Sequence, residues 1–270
     1  MAETARSFYD LKYIDTLSSL DSPVHRIDAR AKLLTTGVFI VCAVSFPKHE
    51  ISALIPYFLY PAVIVPAARI PARYLMERAA FLLPFAVLIG IFNPFYDREV
   101  VMSVSGIPIS GGVLSFVSIL LRFVLTILAA LILMASTGFP GICSGLEKLK
   151  IPRVFSVQLM MLHRYLFVLA SEAVRMARAR QLRSFGGRGT GIATYGSLIG
   201  HLLLRTLNRA RRIHTAMLSR GFHGEFHQGR PFRMRLSDAA FTAAWCSAFI
   251  TFRFVDLPQA VGRIIMGAGS

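Results

Sequence analysis

Five uncharged apolar runs constrain this chain more than any other feature: residues 33–47, 51–68, 79–96, 123–146 and 239–252. A helix crossing a hydrocarbon core of about 30 Å needs roughly 20 apolar residues, and about 17 is a working minimum. With no water to satisfy the backbone, only helices and closed barrels can span a bilayer. The first and last runs hold 15 and 14 residues between charges. They can span if Lys32, Lys48, Arg235 and Arg253 reach toward the headgroups, or if the bilayer thins around them. Pro56, Pro61 and Pro66 are expected to kink the second run. The composition agrees: 54% of residues are hydrophobic and 16% charged, against about 25% charged in a soluble domain. That excludes intrinsic disorder and argues against a soluble enzyme. No short apolar core with a small-residue cleavage site follows the start, so the first run is expected to stay as an anchor.

The charge is lopsided, with 30 Lys and Arg against 14 Asp and Glu, a formal +16. Counting Lys and Arg on alternate sides of the runs gives orientation. Residues 1–32 carry five, 69–78 carry three and 139–236 carry 17, whereas the opposite side has only Lys48, Arg98, Arg253 and Arg263. The amino terminus and residues 139–236 are therefore expected on the cytoplasmic side, and the carboxyl terminus outside. Three cysteines, Cys42, Cys143 and Cys246, lie about a hundred residues apart without CxxC spacing. They read as buried thiols rather than a disulfide framework or a zinc site.

Residues 139–236 are too long for a structureless connection and read as two long helices. The first begins after Pro152, a good helix start, and stops near Phe185-Gly186-Gly187. The second runs from about Ile192 to Ser219 and stops at Gly221. Within it Tyr195, Ile199, Leu202, Thr206, Ala210, Ile213 and Met217 recur every three or four residues as an apolar stripe. Arg205, Arg209, Arg212 and Arg220 follow the same spacing on an adjacent face.

The two helix ends share a pattern. Leu182-Arg183-Ser184 is followed by Phe185-Gly186, and Ser219-Arg220-Gly221 by Phe222-His223-Gly224. One such arginine has a mundane use, because a cation in the last turn complements the helix dipole by about 0.3–1 kcal/mol. Two copies with the same order, in the most basic stretch of the chain, point to docking. A guanidinium is permanently charged and forked to fit carboxylates. Two stiff tips below a bilayer suit a cytoplasmic partner with two acid-lined grooves, such as a dimer.

This layout, with Arg164–Phe226 as its sharpest part, resembles the T component of energy-coupling factor (ECF) transporters. The wording RYLFVLASEAVRMARARQLRSF and HTAMLSRGFHGEF is similar to the cobalt-type branch, CbiQ. The family motif is usually Ala-Arg-Ser or Ala-Arg-Gly. Ser219-Arg220-Gly221 departs by one small-for-small exchange. Leu182-Arg183-Ser184 departs more, and Ala179-Arg180 stands just upstream in a competing register. The resemblance implies a scaffold between two ATP-binding cassette ATPases and a substrate-capturing S component in the membrane. It implies that the Arg183 and Arg220 motifs sit in grooves on the ATPases, and that the cargo is cobalt or nickel. It also implies a non-catalytic subunit with no cofactor of its own, ATP and the transported metal being bound by partner subunits.

Other chemistries fit less well. No Gly-Lys pair exists to build a Walker A phosphate loop, and the glycines at 186–191 read as a turn between two helices. His223 and His227, four apart around Glu225, would share a helix face, but Gly221, Gly224 and Gly229 argue for a solvated turn. His163 and His214 read as hydrogen-bonded within helix packing. Met160, Met161, Met176 and Met217 read as core filler, with an adaptable sliding surface as the alternative. Arg175, Arg178, Arg205 and Arg209 would also attract anionic lipid. No nucleic-acid-reading module is recognisable. The competing function is a membrane-embedded enzyme acting on a lipid or polyprenyl substrate, disfavoured because the runs hold almost no ionisable residues. The expected architecture is an all-α integral membrane protein of the inner membrane. Residues 1–138 carry about four transmembrane helices, 139–236 two amphipathic coupling helices, and 237–270 a last span and tail.

Overall fold

The computed structural model describes residues 16–47, 50–96, 100–104, 107–183, 191–224 and 234–254. The chain divides into two units, Met1–Gly145 with Phe232–Ser270, and Leu146–Pro231.

In the first unit α1 (Ala29–Val44) is started by Asp28, whose Oδ1 accepts the Arg30 amide at 3.0 Å. This is the N-cap that a helix needs for its unpaired first-turn amides. A 3₁₀ helix (Ser52–Phe58) carrying Pro56 runs into α2 (Leu59–Ala67). Next come α3 (Ala72–Gly90), a single turn α4 (Asn93–Tyr96), and β1 (Val100–Val104) paired antiparallel with β2 (Ile107–Ser110). The unit continues with α5 (Gly111–Lys148), which runs three residues past the unit boundary, and is completed by α8 (Leu236–Phe254). The fold is all-α with one small departure, the β1–β2 hairpin, which the apolar runs do not announce.

One helix boundary and one flanking charge correct the sequence reading. The fourth apolar run starts at residue 123, but its helix starts at Gly111. Ser115, Ser118 and Arg122 interrupt the hydrophobicity, not the helix. Both serines are buried, and Arg122 Nη2 donates to the Pro47 carbonyl at 2.6 Å. Lys32 was expected to reach outward toward headgroups. Instead it is 4% exposed, and its Nζ donates to the Ser136 carbonyl at 2.9 Å. Of the three thiols, Cys143 is buried whereas Cys42 and Cys246 are half-buried.

Helices in lipid associate through packing and polar contacts rather than through the hydrophobic effect. Here the packing is aromatic. Phe39 of α1 lies 5.6 Å from Tyr57, 5.0 Å from Tyr60 and 5.1 Å from Phe249 between ring centroids. Trp245 closes the set at 5.5 Å from Phe249. Each such pair is worth about 0.5–1.5 kcal/mol beyond its area. Tyr57, fully buried, donates its hydroxyl to the Phe249 carbonyl at 2.9 Å. Helices α1 and α8 run parallel. At one end Lys32 interacts with Asp238, and at the other Arg253 Nη2 donates to the Ser45 carbonyl at 3.2 Å. The outer faces are apolar and open, as for Phe81, Phe85 and Leu88 of α3 and Val41 of α1. Such a band suits lipid, since soluble monomers rarely leave large contiguous apolar patches.

The second unit contains α6 (Arg153–Arg183) and α7 (Ile192–Ser219), with the boundaries the sequence predicts. Among the described residues, α5 and α6 are the two helices long and apolar enough to cross a membrane by length and composition. In α6 that apolar character is confined to the first half and is interrupted there by Arg164.

Replacing Tyr57 by Phe keeps the ring packing and removes one interhelical hydrogen bond. Unfolding in detergent should show a loss of about 0.6 kcal/mol and no more than about 1.7 kcal/mol. A pH effect is expected at His25, whose Nε2 donates to the Leu17 carbonyl at 3.1 Å while Nδ1 accepts from Ser22 Oγ at 2.7 Å. Burial lowers its pKa from the ordinary 6.5, with help from the charge of Lys32; the Leu17 and Ala135 carbonyls and Asp21 oppose the shift. The unfolded chain therefore binds the proton more readily, so stability falls as pH drops through about 6.5. His25→Gln keeps the donor without titrating. The melting temperatures of wild type and variant should diverge below that pH, to the disadvantage of the wild type.

Candidate functional site

The clearest of the two helix ends is that of α7. Arg220 occupies the C-cap with φ −96° and ψ 10°, and Gly221 follows with φ 77°. The Gly221 amide donates to the Leu218 carbonyl and the Phe222 amide to the Met217 carbonyl, both at 3.0 Å. This pair of bonds is a Schellman motif, which closes a helix through one left-handed residue and brings the side chains around it together. Met217 and Phe222 accordingly line the same groove. Nothing stands within 4 Å of the place where a Gly221 Cβ would be. The chain reverses immediately after Arg220 and leaves its side chain exposed, with Ser219 and Gly221 exposed beside it.

At the end of α6, Leu182 is 76% exposed and Arg183 is exposed as the last helical residue. Ser184 lies outside the described residues, as does the expected stop at 185–187. The structure separates the two neighbouring arginines by what they touch. Arg180 stacks over the Tyr195 ring of α7 at 4.1 Å, a cation–π contact that ties the helices together. Arg183 is turned to solvent.

A second tie is Glu172. Its Oε2 accepts from Arg175 at 2.8 Å and its Oε1 from Arg205 of α7 at 2.8 Å. The hydrogen bond from Arg205, joined by that from Arg175, holds the carboxyl below the usual carboxylate range. Solvent screens a pair at the surface, so the bridge fixes which turn of α6 faces which turn of α7 more than it stabilises them. The sequence reading passed over Glu172 and the Arg180–Tyr195 contact. The signal was present: Glu172 is the only acid between Arg153 and Ser219 in a run crowded with arginine.

Between the helices lies a groove of about 420 Å³, lined by Met161, Tyr165 and Leu169 of α6 and by Ala210, Ile213 and Met217 of α7. Two of the methionines noted as filler, Met161 and Met217, thus border open space. His214 also lines the groove, and His163 meets the Phe167 ring edge-on at 5.3 Å. His223 is exposed, while Glu225 and His227 lie outside the described residues. The apolar stripe of α7 is only partly covered, with Tyr195 at 54% and Ile199 at 66% exposure.

Gly221→Ala forces a Cβ into the left-handed region at a cost of about 1–2 kcal/mol, with no steric clash to add. Asn tolerates that region better, so Gly221→Asn should lose less. Hydrogen exchange at the Phe222 amide in the full-length protein should accelerate in the Ala variant and stay near wild type in the Asn variant.

The family model described as Cobalt transport protein (CbiQ) matches residues 21–230. The energy-coupling factor transporter transmembrane protein EcfT of Thermotoga maritima is 30% identical over 219 residues, covering 76% of this chain and 79% of the relative. EcfT of Bacillus subtilis is 26% identical over 220 residues, 75% of this chain and 82% of the relative. The cobalt transport protein CbiQ of Salmonella typhimurium is 29% identical over 157 residues, 54% of this chain and 70% of the relative. The match spans both the α1 region and the two arginine-ended helices, and the chain belongs to the CbiQ family of cobalt transport proteins.

Proposed function

We propose that this chain is the transmembrane T component of an ATP-driven ECF-type importer. In this reading it links two ABC-type ATPase subunits to a substrate-binding component in the bilayer, with cobalt or nickel ion as cargo. The observation that carries the reading is Arg220, held by a Schellman turn at the end of a 28-residue helix with its side chain exposed. Arg183 supplies the second contact. Its exposure and the engagement of Arg180 with Tyr195 favour Leu182-Arg183-Ser184 as the motif register. Ser184 and Gly221, small residues beside each arginine, permit close approach of a groove wall. Hydrolysis of ATP belongs to the partner subunits.

The topology proposed is five spans: α1, the 3₁₀–α2 segment, α3, α5 and α8. The amino terminus and residues 139–236 are then cytoplasmic. The parallel course of α1 and α8 supports this, because it puts the residues before both helices on one side. Arg164 and the Arg175–Arg183 cluster argue that α6 stays out of the hydrocarbon core, since an arginine at its centre costs at least about 2.5 kcal/mol. The open apolar faces of α7 suit the membrane partner. As a member of a transport family the chain is a transporter component.

Truncating one side of a buried charge contact costs about 2–5 kcal/mol of affinity. Arg183→Ala and Arg220→Ala should each weaken co-purification with the ATPases, and the double variant should abolish ATP-dependent cobalt uptake while inserting normally. Lys at either position should restore uptake only in part, because an ammonium lacks the guanidinium fork. Wild-type uptake by the double Ala variant would overturn the assignment.

A further inference from the structure

Helix α5 is broken at Gly138, with φ 68° and ψ 159°, and Pro140 follows two residues later. That backbone region is open essentially to glycine alone. A Cβ there would also stand 2.6 Å from Ser18 Oγ. In a continuous α-helix the Ser136 carbonyl would accept from the amide of residue 140, and proline has none. The carbonyl left over is the one that receives Lys32 Nζ at 2.9 Å. An ammonium from another helix stands in for the missing amide.

The surroundings show a built arrangement. Lys32 is 4% exposed, Asp28 2% and Asp238 3%. Both carboxylates interact with the ammonium. Each also sits at a helix start, Asp28 accepting the Arg30 amide and Asp238 the Arg235 amide, where the helix dipole offsets a negative charge. The same first turn of α1 meets α5 beyond the break. A Cβ on Gly145 would fall 2.5 Å from Leu33 Cδ1 and 3.2 Å from Ala29 Cβ. His25, seven residues before Lys32, interacts with the neighbouring Ala135 carbonyl. The start of α1 thus grips α5 on both sides of its break, and Lys32 ties that grip to the start of α8.

We propose that Lys32 is a positioning residue for transport, clamping the break in α5 so that displacement of the arginine-ended helices is passed into the membrane unit instead of being lost in a loose hinge. The chain leaves the first unit after Gly145, five residues past Pro140 and near the end of α5, so a slack break would sit directly in that covalent path. This inference rests on the coupling function proposed above.

The test uses the whole complex, co-expressed with its ATPases and membrane partner and reconstituted in proteoliposomes. Uptake of radiolabelled cobalt and ATP hydrolysis are measured together. Lys32→Met leaves a buried carbonyl and two carboxylates without their cation. The ratio of cobalt moved to ATP hydrolysed should fall about tenfold or more, with hydrolysis and co-purification retained. Pro140→Ala is the second variant. It returns an amide to position 140, which can bond the Ser136 carbonyl in place of the ammonium. With the break closed by the backbone, coupling should depend less on Lys32, so adding Pro140→Ala to Lys32→Met should restore part of the lost ratio, and assembly too where Lys32→Met alone fails to accumulate. A wild-type ratio in an assembled Lys32→Met complex, or no recovery in the Lys32→Met/Pro140→Ala double variant, overturns the proposal. So does a loss of hydrolysis and assembly in Lys32→Met that Pro140→Ala does not relieve, which would leave Lys32 with a purely structural role. Failure of the coupling function itself reads differently: the wild-type complex would show no ATP-dependent uptake, or the Arg183/Arg220 double variant would transport normally.

Discussion

A backbone carbonyl without a donor is costly in a membrane-embedded helix, because hydrocarbon offers it nothing. This chain creates one such carbonyl at Ser136 by placing proline four residues later, and fills the vacancy with a lysine from its first helix. Much of the first unit is arranged around that substitution. Asp28 and Asp238 must be buried to balance the ammonium. Two different helices must therefore start at the same level, and α1 and α8 then run side by side with Phe39, Tyr57 and Phe249 packed between them. A buried ion set of this kind adds little net stability compared with apolar packing. Its use lies in specifying which helix ends meet.

The second unit works by different means. Its two helices are pinned by an exposed bridge, Glu172 to Arg205, and by the stacking of Arg180 on Tyr195. Neither contact is strong, and the apolar groove beside them is open. The rigid part is the terminus of α7, where two backbone hydrogen bonds and one left-handed glycine fix the direction of the chain around Arg220. Stiffness at the tip with looseness between the helices suits an element that must hold its partner firmly while adjusting its own packing.

The helices of the second unit were legible from local chemistry alone. Pro152 starts α6, and the 3.6-residue stripe ending at Gly221 delimits α7. The helices of the first unit were legible as apolar runs, but their ends were not. Ser115, Ser118 and Arg122 lower hydropathy without breaking helix geometry, so α5 begins earlier than its apolar run. Lys32 was misread for a related reason. From sequence it is a charge flanking a short span, and the ordinary fate of such a residue is to snorkel. What draws it inward is a carbonyl 104 residues away, and nothing local encodes that pairing. The two arginines at the helix ends stand out in the sequence by their repetition. Glu172 was passed over because a single acid on a helix carries no pattern, although its isolation among arginines was a usable sign.

The Tyr57–Phe249 hydrogen bond joins residues separated by 192 positions, which matters during biosynthesis. A ribosome adds about 5–20 residues per second, so the phenol waits roughly 10–40 s before its acceptor has been translated. Throughout that interval the early helices carry an aromatic cleft unfilled, and α8 must arrive to complete it. Nascent chains stalled before the final helix would thus be recognisable to the quality-control machinery of the membrane as unfinished, whatever the state of α6 and α7.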